Sequence, residues 1–345
     1  MSPTLKDFVR SYPRLATNCS NEEQPIVPDN PSLSIIIPVF NVEKYLSMCI
    51  DSLLRAEGIE KTDIILIDDG SSDRSGEIAD SYAAAHENIR SFHKENGGAS
   101  SSRNLGIREA YGKYIFFCDS DDEVAPALFG DFIAKTKSSS ADVFLWDCDI
   151  IYEEKSILSR KNTSYFSHCG LERTTKTYTG RQVVESLVKD GKGLIASVCL
   201  GAYRRDYLLD NGFFLEEGTT YEDELWIPQV FLNAKSVVYI PEKIYLYRIR
   251  HGSVTNPDHV DLEKNVKAMM YVYPKLYRYY EDTLADDPLK KYLEGNLTKR
   301  YLHIIYKYRF WRFDCGKNID KALLKRTALK LRHKAMVLGL NLFIH

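Results

Sequence analysis

The sequence contains no apolar run approaching the ~20 residues that a membrane-spanning helix needs, although 44% of its 345 residues are hydrophobic. Its first residues show no secretory leader pattern either. Both absences lead us to expect a protein made and used on the cytoplasmic side. Seven cysteines, at positions 19, 49, 118, 148, 169, 199 and 315, never form a CxxC pair. Odd in number and partly seated in apolar runs such as "YIFFC", they read as buried reduced thiols rather than a disulfide framework. No GxGxxG follows the first apolar run and no GxxxxGK[ST] occurs anywhere. That argues against a dinucleotide dehydrogenase and a P-loop NTPase. Internal repeats and low-complexity tracts are also missing.

Net charge is scarce as well, at -2, but the balance hides an asymmetry. From Lys299 onward there are 12 Lys or Arg against 2 Asp, which leaves 34 basic and 46 acidic residues elsewhere. A tail near +10 on a body near -12 is expected to meet something anionic. The length suits one large domain with appendages, or two lobes.

Five prolines around the polar "NCSNEEQ" mark residues 1–32 as an extension or linker. Regular structure begins at "LSIIIPVF", a β-branched run closed by Pro38, as in a strand buried on both faces. In "VEKYLSMCIDSLLRA", Val42, Tyr45, Leu46, Cys49, Leu53 and Leu54 share one helical face. Strand signals recur in "DIILIDDGSS", "NIRSFHKENGG", "KYIFFCDSDD" and "ADVFLWD". Helices are predicted between them: a polar one over 75–86, one in "ASSSRNLGIREAYG" stopped by Gly112, and one opened by Pro126. This alternation predicts a right-handed, parallel α/β sheet over 33–146. The carboxyl ends of its strands share one edge, where ligands bind. That edge collects "PVFN" (38–41), "DDGSSD" (68–73), "KENGG" (94–98) and "DSDD" (119–122). Further on, "LIASVCLGAYRRDYLLDNG" reads as strand then helix, and "TTYEDELWIPQVFLNA" as an acidic turn entering a helix. "SVVYIPEKIYLYRIRHGSVTN" reads as strand, turn, strand and polar loop, with helices from about Asp261.

Four carboxylates at the end of the apolar "YIFFC" run need an explanation, because like charges this close repel. Asp119 and Asp121 are two apart, so extended backbone points both the same way. Such a pair suits a hard cation, Mg²⁺ or Mn²⁺, that keeps positions open for phosphate and water. The alternative is an acidic turn with Asp122 capping the next helix. Asp69 in "DDGSSD" reads either as an acceptor for a base N–H or as part of an Asp-Gly turn capped by Ser72 or Asp73. Gly97 and Gly98 allow close backbone approach to a ligand, and Arg103 follows as a donor or a surface cation.

"SIIIPVFNVEKYLSMCIDSLL", "IILIDDGSSDRS", "NGGASSSRNLGI" and "GKYIFFCDSDD", in this order, closely resemble the glycosyltransferases of family 2. The likeness is dense over 33–150 and looser to about 256. It implies the GT-A fold: a Rossmann-like, mostly parallel sheet flanked by helices, catalytic over 33–256, with a nucleotide half (33–150) and an acceptor half (151–256). Residues 257–345 form a helical, basic extension. Pro38, Val39 and Asn41 would line the base and ribose pocket, with Gly98 and Ser120 beside the nucleotide. Asp69 would read the uracil N3–H and Arg103 its O4. Asp119 would hold ribose or a metal-bound water, and Asp121 the metal on the diphosphate, together forming a DxD pair. The family's "ED" pair falls on Glu222 and Asp223, with Asp223 as general base and Glu222 as the other candidate. Arg250 and His251 would meet the diphosphate or acceptor. The implied activity is inverting transfer from a UDP-sugar to a glycan or lipid-linked acceptor of a surface polysaccharide, dependent on Mn²⁺ or Mg²⁺. Competing readings are a sugar nucleotidyltransferase and a non-catalytic assembly subunit with the same fold.

In the tail, Leu293, Leu297, Tyr301, Ile304, Ile305, Tyr308 and Trp311 share one face, with Lys299, Arg300, Lys307, Arg309 and Arg312 largely outside it. A second helix, "KALLKRTALKLRHKAMVLGLNLFI", repeats the pattern. Such helices can lie peripherally on an anionic membrane surface or pack on the catalytic domain. No nucleic-acid-binding motif occurs, so no nucleic acid partner is expected.

Overall fold

The computed structural model describes residues 28–153, 171, 176–189, 194–250 and 261–344. Five early strands are β1 (Leu33–Val39), β2 (Asp63–Asp68), β3 (Ile89–His93), β4 (Tyr114–Phe117) and the short β5 (Glu123–Val124). Then come β6 (Val143–Tyr152), β7 (Thr177–Tyr178), β8 (Gly201–Arg204) and β9 (Val237–Ile249). They join in one sheet ordered β3-β2-β1-β4-β8-β6-β9-β5, with β7 also on β9. β1 to β4 pair in parallel, as the alternation of apolar runs and helices predicts. Between β4 and β6, however, lies β8, antiparallel to both. β6 then runs parallel to β9. The result is a mostly parallel α/β sheet with β8 reversed near its middle and the two-residue strands β5 and β7 antiparallel to β9.

The helices linking the parallel strands are α1 (Leu46–Leu54), α2 (Ser75–Ala85), α3 (Ala99–Glu109) and α4 (Pro126–Ser138). α1 packs on α2 and α4. α3 ends at Glu109, with Ala110 already extended, so Gly112 does not stop it. Its glycine serves a close approach: a Cβ there would lie 2.2 Å from the Ser34 backbone nitrogen. Every residue of β4 is buried, and alternation sends Phe116 and Phe117 to opposite faces. Phe116 meets Phe129 and Trp146 at ring separations of 5.3 and 5.5 Å. Phe117 meets Trp226 at 6.0 Å on the other side. A strand buried on both faces holds its carboxyl end rigidly, and that end is where the acidic turn begins.

The predicted strand-turn-strand after Ser236 is one bulged strand. Trp146 pairs with Ile240 but Asp147 pairs with Lys243, so the ladder skips Pro241 and Glu242. Proline has no N–H to donate, which makes a bulge the solution at that point.

A polar staple joins the sheet's early strands. Asp63 is 1% exposed and Arg90 4%. Arg90 Nη2 donates to Asp63 Oδ1 at 2.7 Å and to Oδ2 at 2.9 Å. Ser34 Oγ donates to Asp63 Oδ2 at 2.7 Å. Removing one partner strands the other charge in the core. Asp63→Ala is therefore expected to lower unfolding stability by about 3–5 kcal/mol. A urea denaturation series reads this as a lower midpoint at unchanged slope.

The second half supplies α5 (Gly180–Lys189), α6 (Arg205–Asn211) and α7 (Glu222–Asn233). The C-terminal region supplies α8 (Leu262–Leu284), α9 (Pro288–Tyr308), α10 (Lys321–Thr327) and α11 (Leu331–Leu340). The single long helix expected over 321–344 is thus two short ones. α8 packs on α7, and α9 packs on α8 and α5. Tyr273 stacks on Tyr301 at 4.5 Å, and Tyr277 Oη lies 2.7 Å from Thr298 Oγ1. Leu293, Leu297, Tyr301 and Ile305 are buried. Part of the apolar face of α9 is thus used in packing within the protein, while Ile304, Tyr308 and Trp311 on the same face are half-buried. Among the described residues no helix is long and apolar enough to cross a membrane.

Candidate active site

The carboxyl edge of β1, β2 and β4 carries two linked clusters. The first joins the loops after β1 and β2. Asn41 has a left-handed backbone (φ 48°), and its Oδ1 accepts from the Ser72 N–H at 2.8 Å. The Asp69 N–H donates to the Val39 carbonyl at 2.9 Å. Asp69 itself holds the glycine loop: Oδ1 accepts from the Gly97 N–H at 2.9 Å and Oδ2 from the Gly98 N–H at 2.7 Å. Lys94 Nζ also donates to Oδ1. Gly98 sits at φ 86°, where a side chain is strained. Pro38 is half-buried and Val39 fully buried.

The second cluster is the acidic turn. Residues 119–122 are not extended: the Asp122 N–H donates to the Asp119 carbonyl at 3.0 Å, closing a turn. Asp119 and Asp121 nonetheless remain close enough for Asp119 to raise the Asp121 pKa, after burial and against the opposing Arg250. Arg103 Nη2 donates to Asp119 Oδ1 at 2.7 Å, and Nη1 to Glu222 Oε1 at 2.9 Å. Burial opposes the charge on Arg103, but Asp119 and Glu222 more than offset it and push its pKa above the ordinary range. Arg250 Nε donates to Asp121 Oδ2 at 2.7 Å. Ser120 is buried within the turn. Beneath it, Cys49 Sγ and Cys118 Sγ approach the Asp119 carbonyl at 3.6 and 3.7 Å.

Asp122 and Glu123 are more than turn or capping groups. Asp122 is 1% exposed. It accepts from Tyr245 Oη at 2.5 Å and from the Arg248 N–H at 2.6 Å, tying the turn to β9. Burial, then Asp119 and Asp121, push its carboxyl well above the usual range. Glu123 pairs with Arg248. Helix α4 begins after Ala125 with no side-chain cap, so the capping reading of Asp122 does not hold.

Glu222 and Asp223 open α7 after Tyr221, whose left-handed φ of 66° turns the chain sharply there. Asp223 Oδ1 accepts from the Glu224 N–H at 2.9 Å. Burial, then Glu222 and Glu224, push the Asp223 carboxyl well above its ordinary value, with Arg103 acting against them. Arg103 therefore links the acidic turn to the ED pair across 119 positions of sequence. His251 lies outside the described residues. Sequence reading passed over Tyr45 and Arg248. Arg248 and Arg250 lie 5.6 and 4.9 Å from the Tyr45 ring centroid. The two-residue spacing of these arginines, one near the end of β9 and one just past it, was the signal available.

A buried sheet whose carboxyl edge presents a glycine loop, an aspartate turn and an acidic helix start defines a GT-A-type transferase. The family model described as "Glycosyl transferase family 2" matches residues 34–211. The chain belongs to glycosyltransferase family 2 and is a transferase enzyme. Among curated relatives it is 30% identical over 224 residues to "Glycosyltransferase GlyG" of Streptococcus pneumoniae, covering 64% of this chain and 72% of that one. Among solved structures it superposes on S. aureus TarS in complex with UDP-GlcNAc, with a TM-score of 0.60 at 19% identity, over 89% of this chain and 79% of that one. A mannosyltransferase from Pyrobaculum calidifontis in complex with GDP-Man and Mn²⁺ gives 0.52 at 15% identity, covering 99% and 86%. At these identities the two superpositions establish the GT-A fold.

Proposed function

We propose that the protein is a metal-dependent, inverting glycosyltransferase. It moves a sugar from a UDP-sugar to a glycan or lipid-linked acceptor of a surface polysaccharide. The observation that carries this reading is the Arg103 bridge, which sets the aspartate turn and the ED pair in one ion-pair network. The UDP-GlcNAc complex of the TarS neighbour supports the choice of donor.

Among the described residues no cluster of three metal-ligating side chains exists. Two carboxylates still fit a Mg²⁺ or Mn²⁺ that completes its shell with phosphate and water. Asp119 Oδ1 and Asp121 Oδ2 each take one arginine, leaving Asp119 Oδ2 and Asp121 Oδ1 available. Asp121 and Asp119 would hold the ion, and when bound it supplies charge that neutralises the leaving diphosphate. Arg250 passes its own charge from Asp121 to a phosphate oxygen as the donor enters. A carboxylate offers about four acceptor positions, and Asp69 uses three, so one remains for the uracil N3–H. Arg103, the donor assigned to the uracil O4, keeps a buried Nε with no acceptor among the described residues. Asp223 takes the proton from the acceptor hydroxyl, and one displacement inverts the anomeric centre.

The direction of Asp223's pKa fixes the expected pH response. A base works only when deprotonated, so kcat is expected to rise with pH through an elevated value. Glu222→Gln removes a negative neighbour, lowers that pKa and moves the acid limb of the kcat profile to lower pH. An unmoved limb contradicts the assignment. Complete loss of turnover in Glu222→Gln makes Glu222 the base instead.

A further inference from the structure

A cavity of about 440 Å³ lies between α9 and α11, and none of its lining residues belongs to the catalytic clusters. Lys299, Arg300, His303, Arg332 and His333 supply its polar lining, and no carboxylate does. Arg300 pairs with Glu224, the residue after Asp223, which puts this cavity one ion pair from the ED helix. Among the described residues neither Lys299 nor Arg332 pairs with a carboxylate.

His333 is 5% exposed. Arg332 Nε donates to its Nε2 at 3.1 Å. An accepting Nε2 puts the imidazole proton on Nδ1. That Nδ1 is buried and has no acceptor among the described residues. A buried donor left unpaired costs stability that a ligand oxygen would restore. The field around it has one sign: after burial, Arg332, Lys330 and Lys299 lower the His333 pKa. On another face of α11, away from Arg332, His333 and Met336, Leu331 (84%) and Leu338 (57%) are exposed, as is Leu342 (76%) in the turn after it.

We propose that this cavity is a second anion site that binds a phosphate group, with Lys299 and Arg332 supplying charge and His333 Nδ1 a directed hydrogen bond. It stands apart from the donor chemistry above and survives the failure of that reading. The phosphate comes from an anionic lipid headgroup, drawn by the exposed cations Lys299 and Arg332, or from a soluble phosphate ester.

The test uses the full chain and the variant Lys299→Gln/Arg332→Gln, two exposed side chains whose loss leaves the core intact. One arm measures flotation with vesicles of phosphatidylcholine, with and without phosphatidylglycerol. The other follows the His333 imidazole resonance during titration with inorganic phosphate. Two cations near a charged surface are worth roughly thirtyfold in affinity. Wild type is expected to bind the anionic vesicles about thirtyfold more tightly than the variant, with unchanged UDP release in both. If vesicles fail to bind but phosphate shifts the resonance in wild type and not in the variant, the site stands with a soluble ester as its source. If the variant matches wild type in both arms, the proposal is overturned.

Discussion

Asp223→Asn is expected to lower kcat by roughly 10²–10⁴, the usual worth of a positioned base, while UDP binding stays unchanged. The amide keeps the shape of the side chain and cannot accept the acceptor's proton. Nothing in the donor-side cluster depends on Asp223: Asp119 and Arg103 hold each other, and Arg103 reaches across to Glu222 rather than to Asp223. A stability readout separates loss of chemistry from loss of fold. Burial and two carboxylate neighbours disfavour the charged form of Asp223 in the folded chain. Its folded pKa lies above the unfolded one, so its contribution to stability falls as pH rises through that window. The neutral amide removes this cost, and the variant is expected to melt at or above the wild-type temperature near neutral pH. Wild-type transfer by Asp223→Asn would show that another group takes the proton.

The second large effect belongs to Asp121→Ala. Removing one of two carboxylates is expected to abolish stimulation by Mn²⁺ and to slow UDP release by roughly 10²–10³, on the scale of one lost electrostatic partner in a catalytic site. The substitution also frees Arg250 from its ion pair. Arg250→Gln serves as the control, expected to slow release while the response to Mn²⁺ persists. A metal response that persists in Asp121→Ala but is lost in Arg250→Gln would mean that the arginine, and not the aspartate, governs the ion.

The parallel half of the fold was legible because each of its strands is an apolar run closed by turn residues, and each crossover helix has its own face. β8 was legible as a strand but not as a reversed one between β4 and β6, because four residues carry no trace of their partners. The bulge at Pro241 was misread as a turn for a related reason: proline breaks the ladder locally, and only the partner strand β6 shows that pairing resumes. At the candidate site, residue types and their order pointed to one edge of the sheet, and the fold gathers those residues there. The contacts within that edge were not legible. Asp122 reads as one more surface carboxylate, yet it is the buried group that fastens the turn to Tyr245 and Arg248. Arg103 reads as a nucleotide contact, and only the fold shows that it reaches Glu222. Such pairings arise from three-dimensional closure between distant segments, which periodicity cannot encode.

A crystal structure with UDP and Mn²⁺ bound tests the central claim most directly. The account predicts an ion between Asp119 and Asp121, the diphosphate beside it, and Arg250 moved from Asp121 to a phosphate oxygen. Nucleotide density away from Asp121, or an Arg250–Asp121 pair unbroken with UDP and the ion in place, would contradict it.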